Sequence, residues 1–392
     1  MRKFNLLLIS LLPGLVVVAQ QNVKTWYDST KIHLKESYEV IHDEKGKLVK
    51  NGKYSIWYPD KTLWQEGLFD HDQLTGLWKD YYETGILKQE MPYKNGLLNG
   101  ELSYFYPSGK IQQRIIYQND KLNGKVISYF ENDTISEISY YTDNVLNGEI
   151  QTYYSDGKPR SVGNFKNGKE EGPVTTYFEN GNIKEKTTKK NGLYEGLYTD
   201  FYKDFAYKVN KTCYYHNGKL NGILTGYYTD GNKRMNCEYK NDLITGIFTE
   251  YYDTTKVLVK ESGLYNENMR NGIWKSYYVS GALFSTGKYT NNKLDSVWNV
   301  FYPNGKLKQT GNYTNGLATG EWKFFYENGE LKNKGFYEND FKTGIWQTYY
   351  ITGELMSEIR YNHGLRDGEA RGFDKKGKQV ESTTFKNGEK KE

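Results

Sequence analysis

Short runs rich in Tyr, Phe and Trp follow one another along the chain, separated by polar stretches with Gly at fixed places. On one side the runs are bounded by turn signals such as Glu179-Asn180-Gly181, Pro303-Asn304-Gly305 and Glu327-Asn328-Gly329. A second set closes the other side: Lys94-Asn95-Gly96, Lys166-Asn167-Gly168 and Thr314-Asn315-Gly316. Asn-Gly between two aromatic runs is the strongest short-range signal for a β-hairpin, because the turn needs residues that accept positive φ. The pattern predicts a unit of strand, tight Gly turn, strand and longer Gly loop.

The unit recurs with a fixed period. The Gly that ends the Asn-Gly, Thr-Gly or Glu-Gly pair serves as an anchor: Gly52, Gly76, Gly100, Gly124, Gly148, Gly172, Gly196, Gly222, Gly246 and Gly272, then Ser296, Gly320, Gly344 and Gly368. Of the 13 intervals between these 14 anchors, 11 are 24 residues and two, ending at Gly222 and Gly272, are 26. Five residues after every anchor stands an aromatic, as at Tyr81, Phe105, Tyr129 and Phe325. Position six is aromatic in all but the last unit, which has Asp374. Seven before the next anchor comes another, as at Tyr93, Tyr117, Tyr289 and Tyr337, with Lys189 departing from the rule.

A single hairpin is marginal in water, so each unit needs its neighbours to cover its rings. The expected fold is all-β: an elongated antiparallel β-meander or solenoid of about 14 β-hairpin repeats of 24 residues, coiled by strand twist. The two longer units place their extra residues around 203–211 and 253–260. Lengthening a loop costs little, so these read as lengthened hairpin tips and not as domain boundaries.

Composition agrees with an aromatic sheet and not with helices. The chain has 392 residues with 38 Tyr and 40 Gly; 37% is hydrophobic and 16% aromatic. Gly, Tyr, Asn and Thr are all poor helix formers, whereas aromatic cross-strand pairs stabilise sheets. Lys plus Arg total 53 against 48 Asp plus Glu, a net charge of +5. Both signs are interspersed, which leaves no basic stripe for a phosphate backbone and argues against nucleic acid.

The first residues read as a leader. Met1-Arg2-Lys3 precedes an apolar run to Ala19, and Val17-Val18-Ala19 puts small residues at a cleavage site. This is the secretory pattern, too short and too broken by Pro13-Gly14 for a membrane span. The organisation expected is a signal peptide over 1–19, an N-terminal cap over 20–50 and the repeat array over 51–392, exported to periplasm, cell surface or medium.

The unit Tyr313-Thr314-Asn315-Gly316-Leu317-Ala318-Thr319-Gly320-Glu321-Trp322-Lys323-Phe324-Phe325-Tyr326-Glu327-Asn328-Gly329 resembles the MORN repeat family in its bacterial variant form. The resemblance extends over nearly the whole chain beyond the leader. It implies an interaction scaffold without an active site; some members are proposed to touch phospholipid, and bacterial variants are often labelled antitoxin-like. The departures here are Ser296, Lys189 and Asp374.

Catalytic chemistry is not indicated. His33, His42, His71, His216 and His363 stand at no ligand-like spacing, and no nucleophile elbow, phosphate loop or zinc-binding helix motif occurs. Acids such as Glu101, Glu149, Glu321 and Glu369 recur because the unit recurs, whereas paired catalytic carboxylates need unlike environments. We expect no enzyme, no cofactor and no metal. Cys213 and Cys237 each lie nine residues before an anchor, so they occupy equivalent positions in adjacent units. One intervening strand puts them about 9.6 Å apart, beyond disulfide reach, so both are expected free. Ser296 is expected to bear the strain of an anchor conformation that favours Gly.

Binding remains as the expected activity. Two residues after the anchor, Trp274, Trp298, Trp322 and Trp346 repeat every 24 residues and should form a column. Tyr278, Tyr302, Tyr326 and Tyr350, four residues further on, should share its face by alternation. These eight form a tentative binding face, unless the rings fill the space between hairpins, as the isolated Trp78 at the same position suggests. A protein or peptide along this face is the first expectation. A surface glycan stacked on the rings and an envelope toxin neutralised by an immunity-type partner are the others. Phospholipid is a weaker fit, because near-neutral charge gives little attraction to anionic headgroups.

Overall fold

A computed structural model describes residues 20–391; the expected leader lies outside the described residues. Every element in them is a β-strand, and each strand pairs antiparallel with its neighbour in sequence. The chain divides into two compact units, with the boundary between Glu171 and Gly172. In the first, strands Gln21–Trp26 and Leu34–His42 precede the first anchor strand, Leu48–Trp57, and pair into the meander.

One repeat of the second unit shows how the sequence builds the fold. Strand Leu317–Phe325 leads to a tight turn, and Leu331–Glu338 returns beside it with Trp322 opposite Gly335. The tip closes where the Tyr326 amide donates to the Glu330 carbonyl at 2.8 Å and the Gly329 amide to the Tyr326 carbonyl at 2.9 Å. Gly329, at φ +96°, is the residue that lets the chain turn so sharply.

The anchor is a β-bulge. Between strands Leu307–Thr314 and Leu317–Phe325 the register runs Asn312 to Thr319, then Thr310 to Lys323. Gly311 alone therefore faces Gly320, Glu321 and Trp322, which kinks the strand and tightens its twist. All 14 anchors have positive φ, Ser296 among them at 119°. The expectation of a strained Ser296 holds, although the anchor sits in a bulge instead of in the loop.

Successive repeats are clasped at both ends of their strands. At the tips, each Tyr hydroxyl donates to a main-chain carbonyl one repeat further on: Tyr82 to Phe105, Tyr106 to Tyr129, Tyr228 to Tyr251. At the loops, the Asp340 amide donates to the Ala318 carbonyl at 3.1 Å, and its carboxylate accepts the Ala318 amide at 2.6 Å.

In each unit the core is a file of positions on one face of the sheet. In the first unit it runs through Trp78, Met91, Leu102, Ile115 and Val126, flanked by Tyr54, Phe69, Tyr93 and Tyr117. In the second it passes Cys213, Leu224, Cys237 and Phe248 before a series in which Gly and Trp alternate. Cys213 and Cys237 are free and buried, with strand Gly222–Tyr227 between their strands. Burial pushes both thiols above their ordinary pKa. Neither is poised to react.

Candidate binding face

The structure buries three of the four Trp of the tentative face in the core and leaves Trp298 and the four Tyr half-buried. Trp274 is 3% exposed and Trp322 and Trp346 are buried alike, with Trp298 half-buried. Each ring lies flat over a glycine of the preceding strand: a Cβ on Gly263, Gly287, Gly311 or Gly335 would come within 2.1–2.3 Å of it. Trp78 lies over Gly67 in the same way. The indole N–H groups of Trp78, Trp274 and Trp346 donate to the carbonyls of Leu68, Leu264 and Phe336 at 3.0–3.1 Å. Tyr265 packs edge-on against Trp274, Tyr313 against Trp322 and Tyr337 against Trp346, with ring centroids 5.1–5.2 Å apart. Trp274, Trp322 and Trp346 are thereby buried, and Trp298 keeps part of its ring accessible.

The four Tyr residues are equally committed. Tyr278, Tyr302, Tyr326 and Tyr350 donate their hydroxyls to the carbonyls of Phe301, Phe325, Tyr349 and Phe373 at 2.8–2.9 Å. They are the tip clasps of the fold, and the bulge at Ser276/Tyr277 and its equivalents interrupts the alternation that placed them beside the Trp column.

The opposite face carries the exposed apolar surface of the second unit. One residue after the anchor, and so on the other side of the strand from the Trp position, stand Leu197, Ile223, Ile247, Ile273, Val297 and Ile345. Ile223, Ile247 and Ile273 are 55%, 67% and 64% exposed. Tyr214 is opposite Leu197 and Leu264 opposite Ile247, both exposed, whereas Glu238 is opposite Ile223 and Lys288 opposite Ile273. In the first unit the same position holds Lys53, Leu77, Glu101, Lys125 and Glu149, and elsewhere in the second it holds Pro173, Glu321 and Glu369. The apolar row therefore does not follow from the repeat as such.

Two lengthened tips fall in the same stretch. Ordinary tips close from the residue after the aromatic to the fourth beyond it, as Tyr228 to Asn232. The longer ones close two residues later, Tyr202 to Lys208 and Tyr252 to Leu258, both at 2.9 Å. The first presents Phe205 and Tyr207, and the second Val257, all exposed. Tyr207 has φ 63° and is 79% exposed, an aromatic held in a left-handed conformation with nothing covering its ring. Below the second tip Lys260 reaches the Glu250 carboxylate at 3.0 Å, a hydrogen bond that raises the lysine pKa. In repeat proteins insertions gather on loops of one side, often the binding side.

Nearby, Glu195 accepts the Asn217 amide at 2.8 Å and lies 3.0 Å from His216 Nδ1. The amide first, then the imidazole, hold this carboxyl below its ordinary pKa. Among the described residues no group of three or more His, Cys, Asp or Glu side chains is arranged to hold a metal ion.

Hairpin repeats in sequential antiparallel register define a repeat-type interaction module. More particularly, the model of the MORN repeat variant matches residues 74–95, 98–119, 146–167, 170–191, 294–315, 318–339 and 342–363, and the chain carries MORN repeat variants at these seven positions. No curated protein matches the chain. Among solved structures it is similar to a chain of TcdB2-TccC3-TEV, at 11% identity and TM-score 0.16, over 93% of this chain and 26% of that one. A chain of the Photorhabdus luminescens Tc holotoxin pore matches at 11% identity and TM-score 0.14, over 92% and 23%. The protein thus spans about a quarter of those chains. The family matches leave 192–293 uncovered, and that stretch holds both lengthened tips and the densest part of the apolar row.

Proposed function

We propose that the chain is an exported, non-catalytic repeat scaffold that binds a protein partner through the outward face of residues 196–301. The observation that carries this reading is the row Ile223, Ile247 and Ile273, each more than half exposed, in the stretch with the lengthened tips. Exposed apolar groups rimmed by polar ones mark interaction sites, and Glu238 and Lys288 stand opposite Ile223 and Ile273 in this row. A short aromatic protrusion such as Phe205 and Tyr207 suits a hot-spot anchor. Export rests on the leader pattern over residues 1–19. A glycan stacked on the Trp column is not favoured, because Trp274, Trp322 and Trp346 are covered by Tyr and main chain.

Cross-linking capture from intact cells tests the reading, with the wild-type chain beside an Ile247→Lys/Ile273→Lys variant. Both side chains are exposed, so the variant should melt within a few degrees of wild type while losing the partner. Unchanged capture, or capture of wall polymer without protein, contradicts the proposal.

A further inference from the structure

The repeat makes departures from its own pattern easy to see, and one of them is a cation. Eight residues before the anchor most repeats carry uncharged groups such as Leu68, Pro92, Tyr140, Asn312 or Phe336; the repeat anchored by Ser296 carries Lys288, and the one anchored by Gly368 carries Arg360. The side chain lies over the bulge: a Cβ on Gly368 would meet its Cδ at 2.9 Å. Its guanidinium forms no hydrogen bond or ion pair with any described residue. It borders an open basin of about 620 Å³ whose polar lining includes Thr343, Asn362, Asp367, Thr384 and Lys386. Lys386 is paired with Asp367 at 3.3 Å, which neutralises the acid and leaves Arg360 with its donors unspent.

We propose that this basin binds an oxyanion, a carboxylate or phosphate carried on a hydroxylated ligand such as an acidic sugar. The planar guanidinium presents a fork of N–H donors that matches two oxygens of either group. The hydroxyls of Thr343 and Thr384 supply the neutral donors and acceptors a sugar needs, while the Asn362 side chain is held by Asp367 and His363. The Lys386–Asp367 pair sets the strength of the site: while Asp367 is charged it offsets one of the three cations that line the basin, Arg360, Lys386 and Lys391.

Isothermal titration of the full chain with D-glucuronate, inorganic phosphate and neutral D-glucose tests this. Glucuronate or phosphate should bind with one-to-one stoichiometry, and glucose should not. A preference for glucuronate identifies a sugar acid as the source of the anion, and a preference for phosphate identifies a phosphorylated one. Arg360→Gln should weaken binding at least tenfold, and Arg360→Lys should recover part of the loss. Asp367→Asn should tighten it several-fold, an opposite shift that a misfolded variant would not give. No binding of either anion, or equal affinity in Arg360→Gln and wild type, overturns the proposal. So does an affinity that Lys306→Gln, remote from the basin, lowers as much.

Discussion

Two stretches of the core column solve the same packing problem differently. Through Met91, Leu102, Ile115 and Val126 in the first unit, each strand contributes a medium-sized side chain. From Gly263 to Trp346 in the second, every other strand contributes nothing and its neighbour contributes an indole. Both fill the column: Leu102 and Trp274 are each 3% exposed. What the fold requires is a summed volume per pair of strands, and the repeat tolerates either way of supplying it. Each Trp at this position lies over a Gly; the aliphatic pairs need none.

Truncation should separate the two stretches most. Trp322→Ala removes the whole filling of two strands, so we expect a loss of about 3–5 kcal/mol by denaturant unfolding. Ile115→Val in the first stretch should lose about 0.5–1.5 kcal/mol. Adding volume gives the next effect. Gly311→Val drives two methyls into the Trp322 ring and should destabilise by about 1–3 kcal/mol or more. Combined with Trp322→Leu it recreates a pair of the first kind, and the double variant should recover a large part of the loss. Additive losses instead would show that the strands cannot exchange the two solutions.

The clasps are common to both stretches and should therefore respond alike. Tyr106→Phe and Tyr302→Phe each delete one hydroxyl bond to a carbonyl and should lose about 0.5–1.5 kcal/mol. Ser296→Gly relieves positive φ within the Gly/Trp stretch and should gain about 1 kcal/mol, read as a raised Tm. The smallest effect concerns pH. The Glu195 carboxyl is held below its ordinary value, so its contribution is present above the unfolded-state pKa and fades as pH falls through the lower folded one. Glu195→Gln should lower stability slightly at neutral pH and flatten the acid limb, so that the variant and wild type converge as pH falls.

The period, the tips, the free cysteines and the positive φ of Ser296 were legible in the sequence, because turn chemistry and register are local. Which face is buried was not. Alternation groups Trp274 with Trp298 and Ile273 with Val297, but both rows are apolar and period two is blind to which one meets the core. Size misled further, since the larger rings suggested binding anchors. A usable signal was present in Gly263, Gly287, Gly311 and Gly335, nine residues before successive anchors. A strand without side chains beside a column of indoles makes room for rings to lie flat on the backbone. The bulge at the anchor was equally out of reach, because a loop and a bulge ask the same φ of glycine.

Hydroxyl-radical footprinting of the chain, alone and with its captured partner, tests the central claim most directly. Ile223, Ile247, Ile273 and Tyr207 should be modified in the free protein and protected in the complex, with Trp274, Trp322 and Trp346 unreactive in both. Modification of those tryptophans in the free chain, followed by their protection on binding, would return the binding face to the Trp column and contradict the account.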